Sequence, residues 1–214
     1  MKSWASSSLL GATWRRSAGR AALAAVLLAA LFWALPARRA GEEGGHHGAP
    51  VAALDRFERA GVTEFTGNQR GPAFRLEVLG GATASLNDFR DTLVVLNFWA
   101  TWCQPCTLEM PTLEALWRDY RERGLTVVGV SVDRGAPRAL LEPYIRGHRL
   151  TFPILLDPES KTAGAWRVTA LPATFLIRPG GEVAGVAWGA REWNSGEMKA
   201  LVDTMLPGRR APSR

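Results

Sequence analysis

The chain has 214 residues, room for one ordinary domain and an N-terminal extension, and its 47% apolar content can fill a core without disulfide staples or a structural metal. Lys2, Arg15, Arg16, Arg20, Arg38 and Arg39 account for the whole net charge of +6, and residues 1–40 hold no acid. From Gly41 onward bases and acids balance, which excludes the basic folded domain of a nucleic-acid binder.

A basic stretch to Arg20, an uncharged run Ala21–Leu35 and a polar, glycine-rich Pro36–Gly48 follow the plan of an export signal. Extended to Ala37, the run reaches the lower end of a membrane-spanning length. Four bases precede it and two follow, so the N-terminus is expected in the cytoplasm and the remainder outside. Leu35-Pro36-Ala37 and Arg38-Arg39-Ala40 place bulky or charged residues where a processing site prefers small ones. Residues 1–40 are therefore expected to stay as a single-span anchor in the inner (cytoplasmic) membrane, with the working part on its periplasmic side. Arg15-Arg16 lacks the apolar neighbours of a twin-arginine signal. Residues 41–62 read as a linker with a short helix near Ala52–Arg59. The adjacent His46-His47 does not complete a metal shell.

Residues 63–208 read as the folded domain and 209–214 as a flexible tail. Phe74–Leu79 and Thr83–Ser85 alternate around Gly80-Gly81, a hairpin pattern. Leu93–Trp99 is almost continuously apolar, as expected of a strand buried on both faces. Pro105–Arg123 has a helical apolar stripe through Leu108, Leu113, Leu116 and Trp117, and Gly124 ends it. Leu125–Val132 reads as a second buried strand, Pro137–Arg149 as a helix and Phe152–Leu156 as a short extended piece. Then come a brief helix at Ser160–Trp166, strands at Thr174–Ile177 and Val183–Trp188 about Pro179-Gly180-Gly181, and a closing helix at Ser195–Leu206. This is an α/β layout.

The chemistry lies in two cysteines, Cys103 and Cys106, and there are no others. Two thiols cannot supply a four-ligand structural zinc site, and a staple across two residues would constrain almost no loop. A redox pair is the reading that remains. Cys103 falls at the N-cap of the predicted helix and Cys106 in its first turn. Free amides and the positive end of the helix dipole there favour a thiolate, and Pro105 suits a turn that does not need its N–H. Cys103 is thus expected to attack, and Cys106 to resolve the mixed disulfide. Glu109, three residues beyond Cys106, shares its helical face. A carboxylate there opposes thiolate formation and can take the resolving thiol's proton.

The segment Asn97-Phe98-Trp99-Ala100-Thr101-Trp102-Cys103-Gln104-Pro105-Cys106 resembles the active-site segment of the thioredoxin superfamily. Its continuation Thr107-Leu108-Glu109-Met110-Pro111 is similar to the membrane-anchored, extracytoplasmic thiol–disulfide oxidoreductases of the TlpA/ResA type. The resemblance spans roughly Phe74 to Leu206. It implies a thioredoxin fold with an N-terminal β-hairpin extension and a central helical insertion, in a monomer that needs no cofactor. It also identifies Ala170-Leu171-Pro172-Ala173-Thr174-Phe175 with the family's cis-proline segment. Pro172 would then lie beside the cysteines and the Leu171 backbone would meet an extended client, with Trp102, Gln104 and Pro105 completing the contact. Family members use such a glutamate to tune the cysteines. Where thioredoxins carry a buried aspartate this chain has Asn97, which cannot titrate, so Glu109 is the candidate for that work.

The resemblance implies a reductant that takes electrons from a transmembrane thiol carrier and passes them to disulfide-containing clients. Cytochrome c haem-binding cysteines and copper-delivery proteins of oxidase assembly are the client classes it suggests. Two other readings use the same pair. A disulfide-forming oxidant would need a strongly stabilised Cys103 thiolate, and a copper chaperone would need a third ligand, for which His148 is the candidate. A peroxidase would carry threonine or serine three residues before its reacting cysteine. Here those positions hold Ala100 before Cys103 and Cys103 before Cys106. Trp99 and Trp102 are expected to pack and shield the dithiol, Trp117, Trp166, Trp188 and Trp193 to serve the core or an edge, and Arg118, Arg121 and Arg123 to form a solvated helix face.

Overall fold

The computed structural model describes residues 56–135 and 137–207. The expected anchor, the linker before residue 56 and the tail lie outside them, and no described helix is long and apolar enough to cross a membrane. In chain order the strands are β1 (Thr63–Glu64), β2 (Arg75–Val78), β3 (Thr83–Ser85), β4 (Leu93–Trp99), β5 (Leu125–Ser131), β6 (Ile154–Leu156), β7 (Ala173–Ile177) and β8 (Val183–Trp188). The helices are α1 (Gln104–Tyr120), α2 (Pro137–His148), α3 (Lys161–Ala165) and α4 (Gly196–Met205).

All eight strands form one sheet in the order β1-β8-β7-β4-β5-β6-β2-β3. β4 runs parallel to β5 and antiparallel to β7, so it lies in the interior of the sheet. Every residue of β4 and of β5 is buried, which is why both read as unbroken apolar runs. The hairpin β2–β3 joins the sheet through β6, with Val78 opposite Leu155. α2, between the parallel strands β5 and β6, is the central helical insertion, and the whole is the expected thioredoxin-like α/β fold.

α1 passes into a 3₁₀ turn over Arg121–Arg123 and stops at Gly124, whose φ of 90° is the left-handed conformation glycine adopts without strain. The arginines at this end are paired rather than merely solvated. Arg118 donates to Glu114 at 2.6 Å and Arg123 to Asp203 at 2.7 Å. Two side chains of opposite charge sit within reach because Glu114 lies one turn earlier on α1 and Asp203 on α4.

The expected linker boundary at residue 62 falls too late. Residues 56–59 are helical, and Phe57, Ala60 and Val62 are buried in the core. Three apolar residues in a short polar stretch give little periodicity, but β1 carries them onto the sheet by pairing Glu64 with Gly185 of β8. A Cβ on Gly185 would stand 2.5 Å from the Thr63 carbonyl oxygen, a backbone atom that cannot swing aside. Gly185→Ala is therefore expected to cost about 1–3 kcal/mol of stability in denaturant titration. Gly80→Ala, whose methyl would meet nothing within 4 Å, should stay within about 1 kcal/mol of the parent.

Candidate active site

The interior strand β4 ends at Trp99, and the chain turns through Ala100–Trp102 into α1. Cys103 is the N-cap of that helix, with extended backbone (φ −87°, ψ 101°), and its sulfur accepts the Cys106 N–H at 3.3 Å. Cys103 and Cys106 are joined in a disulfide with Cα atoms 5.3 Å apart. Cys106 is fully buried and Cys103 nearly so. Pro105 stands in the first turn, where its missing N–H costs nothing. The first-turn geometry read from the sequence is thus in place.

Around the dithiol the surface is open. Gln104 and Pro105 are exposed, and Trp102 is 70% exposed. Trp99, three residues earlier and at the end of the strand, is wholly buried instead. The difference is the turn: Trp99 is still within a fully packed strand, whereas Trp102 stands where the chain has left the sheet. Beside it a cleft of about 680 Å³ is lined by Thr101, Trp102, Val132, Asp133, Arg134, Leu140 and Ser160. Leu171–Pro172 is a cis peptide, matching the cis-proline segment that the resemblance implied. Ala173 pairs with Phe98, so the sheet register sets Pro172 at the same end of the sheet as the cysteine turn. Pro172 is buried and Leu171 half-buried, and the Pro172 carbonyl accepts the Gly189 N–H at 2.9 Å.

Glu109, on the α1 face of Cys106, is 1% exposed. Asn97 Nδ2 donates to its Oε1 at 2.7 Å, and the Arg191 N–H and Trp193 Nε1 donate to Oε2 at 3.0 and 2.9 Å. Asn97 Nδ2 also donates to Thr174 Oγ1 at 2.8 Å. Thr112 binds the same loop, its hydroxyl oxygen accepting the Trp193 N–H at 3.0 Å. Burial raises the Glu109 carboxyl above its ordinary range, while the bonds from Trp193, Arg191 and Asn97 and the Arg191 charge pull it down. Trp193, expected to be core, is core and also a donor to this carboxylate. Nothing in its local sequence signals that, because the contact joins residues 84 apart.

His148 closes α2, and its ring stacks on Tyr144 at 4.2 Å. Among the described residues no three His, Cys, Asp or Glu side chains are grouped to hold a metal ion.

A dithiol at the N-terminus of a helix, following an interior strand of this sheet, defines a thioredoxin-like thiol–disulfide oxidoreductase. The chain belongs to the AhpC/TSA family, whose model matches residues 68–186, and is of the ResA type within the thioredoxin superfamily. It is 40% identical over 118 residues to the thiol-disulfide oxidoreductase ResA of Geobacillus kaustophilus, covering 55% of this chain and 67% of that one. It is 33% identical over 130 residues to ResA of Bacillus subtilis, covering 61% and 72%. The chain thus spans about two-thirds to three-quarters of these relatives' length. A secreted thiol-disulfide isomerase from Corynebacterium glutamicum superposes with a TM-score of 0.57 at 25% identity, covering 69% of this chain and 90% of that one.

The raised Glu109 has a measurable consequence. A carboxyl that holds its proton more tightly folded than unfolded adds stability below its ordinary value of 4.5 and loses it as pH rises through the raised value. Unfolding free energies of the disulfide form, taken from pH 4 to 8, should therefore fall with pH more in the parent than in Glu109→Gln. The difference between the two curves is the readout, and parallel curves would contradict the assignment.

Proposed function

We propose that this oxidoreductase works as a reductant outside the cytoplasm, held at the inner membrane by residues 1–40. It would accept electrons from a transmembrane thiol carrier and reduce disulfides in client proteins, with cytochrome c haem-binding cysteines and copper-delivery proteins of oxidase assembly as the client classes. The observation that carries the direction is the buried carboxylate of Glu109 on the helical face of Cys106. A helix N-terminus stabilises a thiolate by about 0.3–1 kcal/mol, rising to ~2 where partly buried, and that favours the reduced form and an oxidising protein. A buried negative charge on the same helix opposes it, and does so in a low-dielectric setting where charges act strongly.

The proposed cycle balances. The Cys103 thiolate attacks one sulfur of the client disulfide, and the departing client sulfur takes up a proton. Glu109 receives the Cys106 proton, and the Cys106 thiolate attacks Cys103 Sγ. The second client sulfur leaves and is protonated, and the protein is left as the Cys103–Cys106 disulfide with two electrons transferred. The Leu171 backbone, held by the cis bond to Pro172, supplies main-chain contacts to the extended client, and the open Trp102, Gln104 and Pro105 border it.

Two measurements test this on the full chain. Equilibration in graded thiol/disulfide buffers, read by tryptophan fluorescence, should give a potential nearer thioredoxin's, about −270 mV, than the oxidant DsbA's, about −120 mV. A value at the upper end would reverse the direction. Cys106→Ser should accumulate mixed disulfides with a model disulfide substrate and Cys103→Ser should not. The opposite pattern would exchange their roles.

A further inference from the structure

We infer that Asp133, which the cycle above does not use, is the positioning residue that sets the backbone leading into Cys103. This rests on Cys103 being the attacking sulfur. β4 and β5 stay in parallel register to the bond from the Val132 N–H to the Trp99 carbonyl, at 3.0 Å. There the two chains part, and the amide of Thr101, two residues before Cys103, must find another acceptor. It donates to the Asp133 carboxylate, 3.0 Å from Oδ2 and 3.2 Å from Oδ1. The Thr101 hydroxyl adds a bond of 2.6 Å to Oδ1. A side chain thus takes over where the sheet ladder ends.

The carboxylate is itself fixed. Ser131 Oγ donates to its Oδ2 at 2.8 Å and accepts the Asp133 N–H at 3.1 Å. Asp133 is 1% exposed, a buried acid on a loop rather than a solvated one. Its charge reaches Tyr144 of α2, whose hydroxyl donates to Thr107 Oγ1, one residue past Cys106, at 3.0 Å. Among the described residues, the charged and titratable groups placed around this turn are Asp133 beyond β5, Glu109 on α1 with Arg191 beside it, Tyr144 and the His148 ring stacked on it on α2, and Arg134, exposed beside the same cleft.

Geometry and charge then act together. Thr101 held to Asp133 fixes the backbone two residues before the N-cap, and the buried negative charge adds to that of Glu109 in opposing the Cys103 thiolate. A part that merely filled space would have neither effect on the sulfur.

The test measures two properties of the sulfur in the full chain. The first is the rate of Cys103 alkylation by iodoacetamide against pH, in a Cys106→Ser background so that one thiol is present. The second is the equilibrium constant with glutathione, with both cysteines intact. Asp133→Asn should lower the alkylation midpoint and move the equilibrium toward the dithiol by about threefold or more, as loss of a nearby buried charge requires. Thr101→Val keeps the charge and the shape but removes one bond. It should leave the midpoint in place while the alkylation rate of the ionised thiol falls about threefold, and it stands as the test alone if Asp133→Asn does not fold. Unchanged sulfur chemistry in the folded variants would overturn the assignment, including a drop in melting temperature alone. Should Cys103 prove unreactive in the otherwise unaltered chain, it is the reading of Cys103 as nucleophile that fails, and the two failures are told apart.

Discussion

The buried carboxylate of Glu109 is the contact on which the site's architecture depends. Through Asn97 it engages β4, and through the Asn97 bond to Thr174 it reaches β7. Through Arg191 and Trp193 it holds the segment between β8 and α4, and the Arg191 guanidinium in turn donates to the Gly61 carbonyl at 3.2 Å. One acid thus ties the active-site helix to the sheet, to the C-terminal segment and to the packed stretch before β1. Burying a carboxylate without a directly paired cation is costly. Three hydrogen bonds to a charged acceptor, each worth about 1.5–3 kcal/mol, offset that cost. Both oxygens are needed as acceptors for that arrangement, which an amide cannot supply unless Asn97 turns over. The side chain is therefore both structural clamp and titratable group.

Placing that clamp on α1 brings its charge to the dithiol. The N-cap position and the Cys106 amide lower the free energy of a sulfur anion at Cys103, and the carboxylate of Glu109 raises it. The two effects oppose one another, so a change in how the carboxylate is held alters the poise of the pair. Asn97 shows how that holding is arranged. Its Oδ1 is buried without a partner while its Nδ2 serves two acceptors. A group with one atom unsatisfied and the other doubly engaged has its amide orientation fixed by Glu109 and Thr174, and a protonated Glu109 would offer it a different choice.

How much of this could be read from the sequence follows from how local each feature is. The cysteine turn, Pro105 and Gly124 are encoded within a few residues, so the helix, its cap and the roles open to its thiols were legible. The buried strands were legible because an unbroken apolar run admits few alternatives. Glu109 was legible as a neighbour of Cys106 because helical spacing places it there. Its partners were not: Trp193 and Arg191 lie more than 80 residues away and meet it only once β8 and α4 are in place. The resemblance located Pro172, which spacing alone did not. The boundary at residue 62 failed for a related reason, since β1 has two residues and its worth lies in pairing with Gly185.

The site therefore separates two tasks by depth. Trp102, at 70% exposure, and the exposed Gln104 and Pro105 form the outer surface beside the dithiol, away from the core. Glu109, Asn97 and Trp193, each almost wholly buried, place the charge of the carboxylate beneath it where solvent does not reach. An acid at the surface would be screened and would sense every client's charge. Buried on the inner face of α1 and fixed by three donors, Glu109 is shielded from charges at the surface. On the proposed cycle, the poise of the dithiol then belongs to the fold and not to any complex it forms.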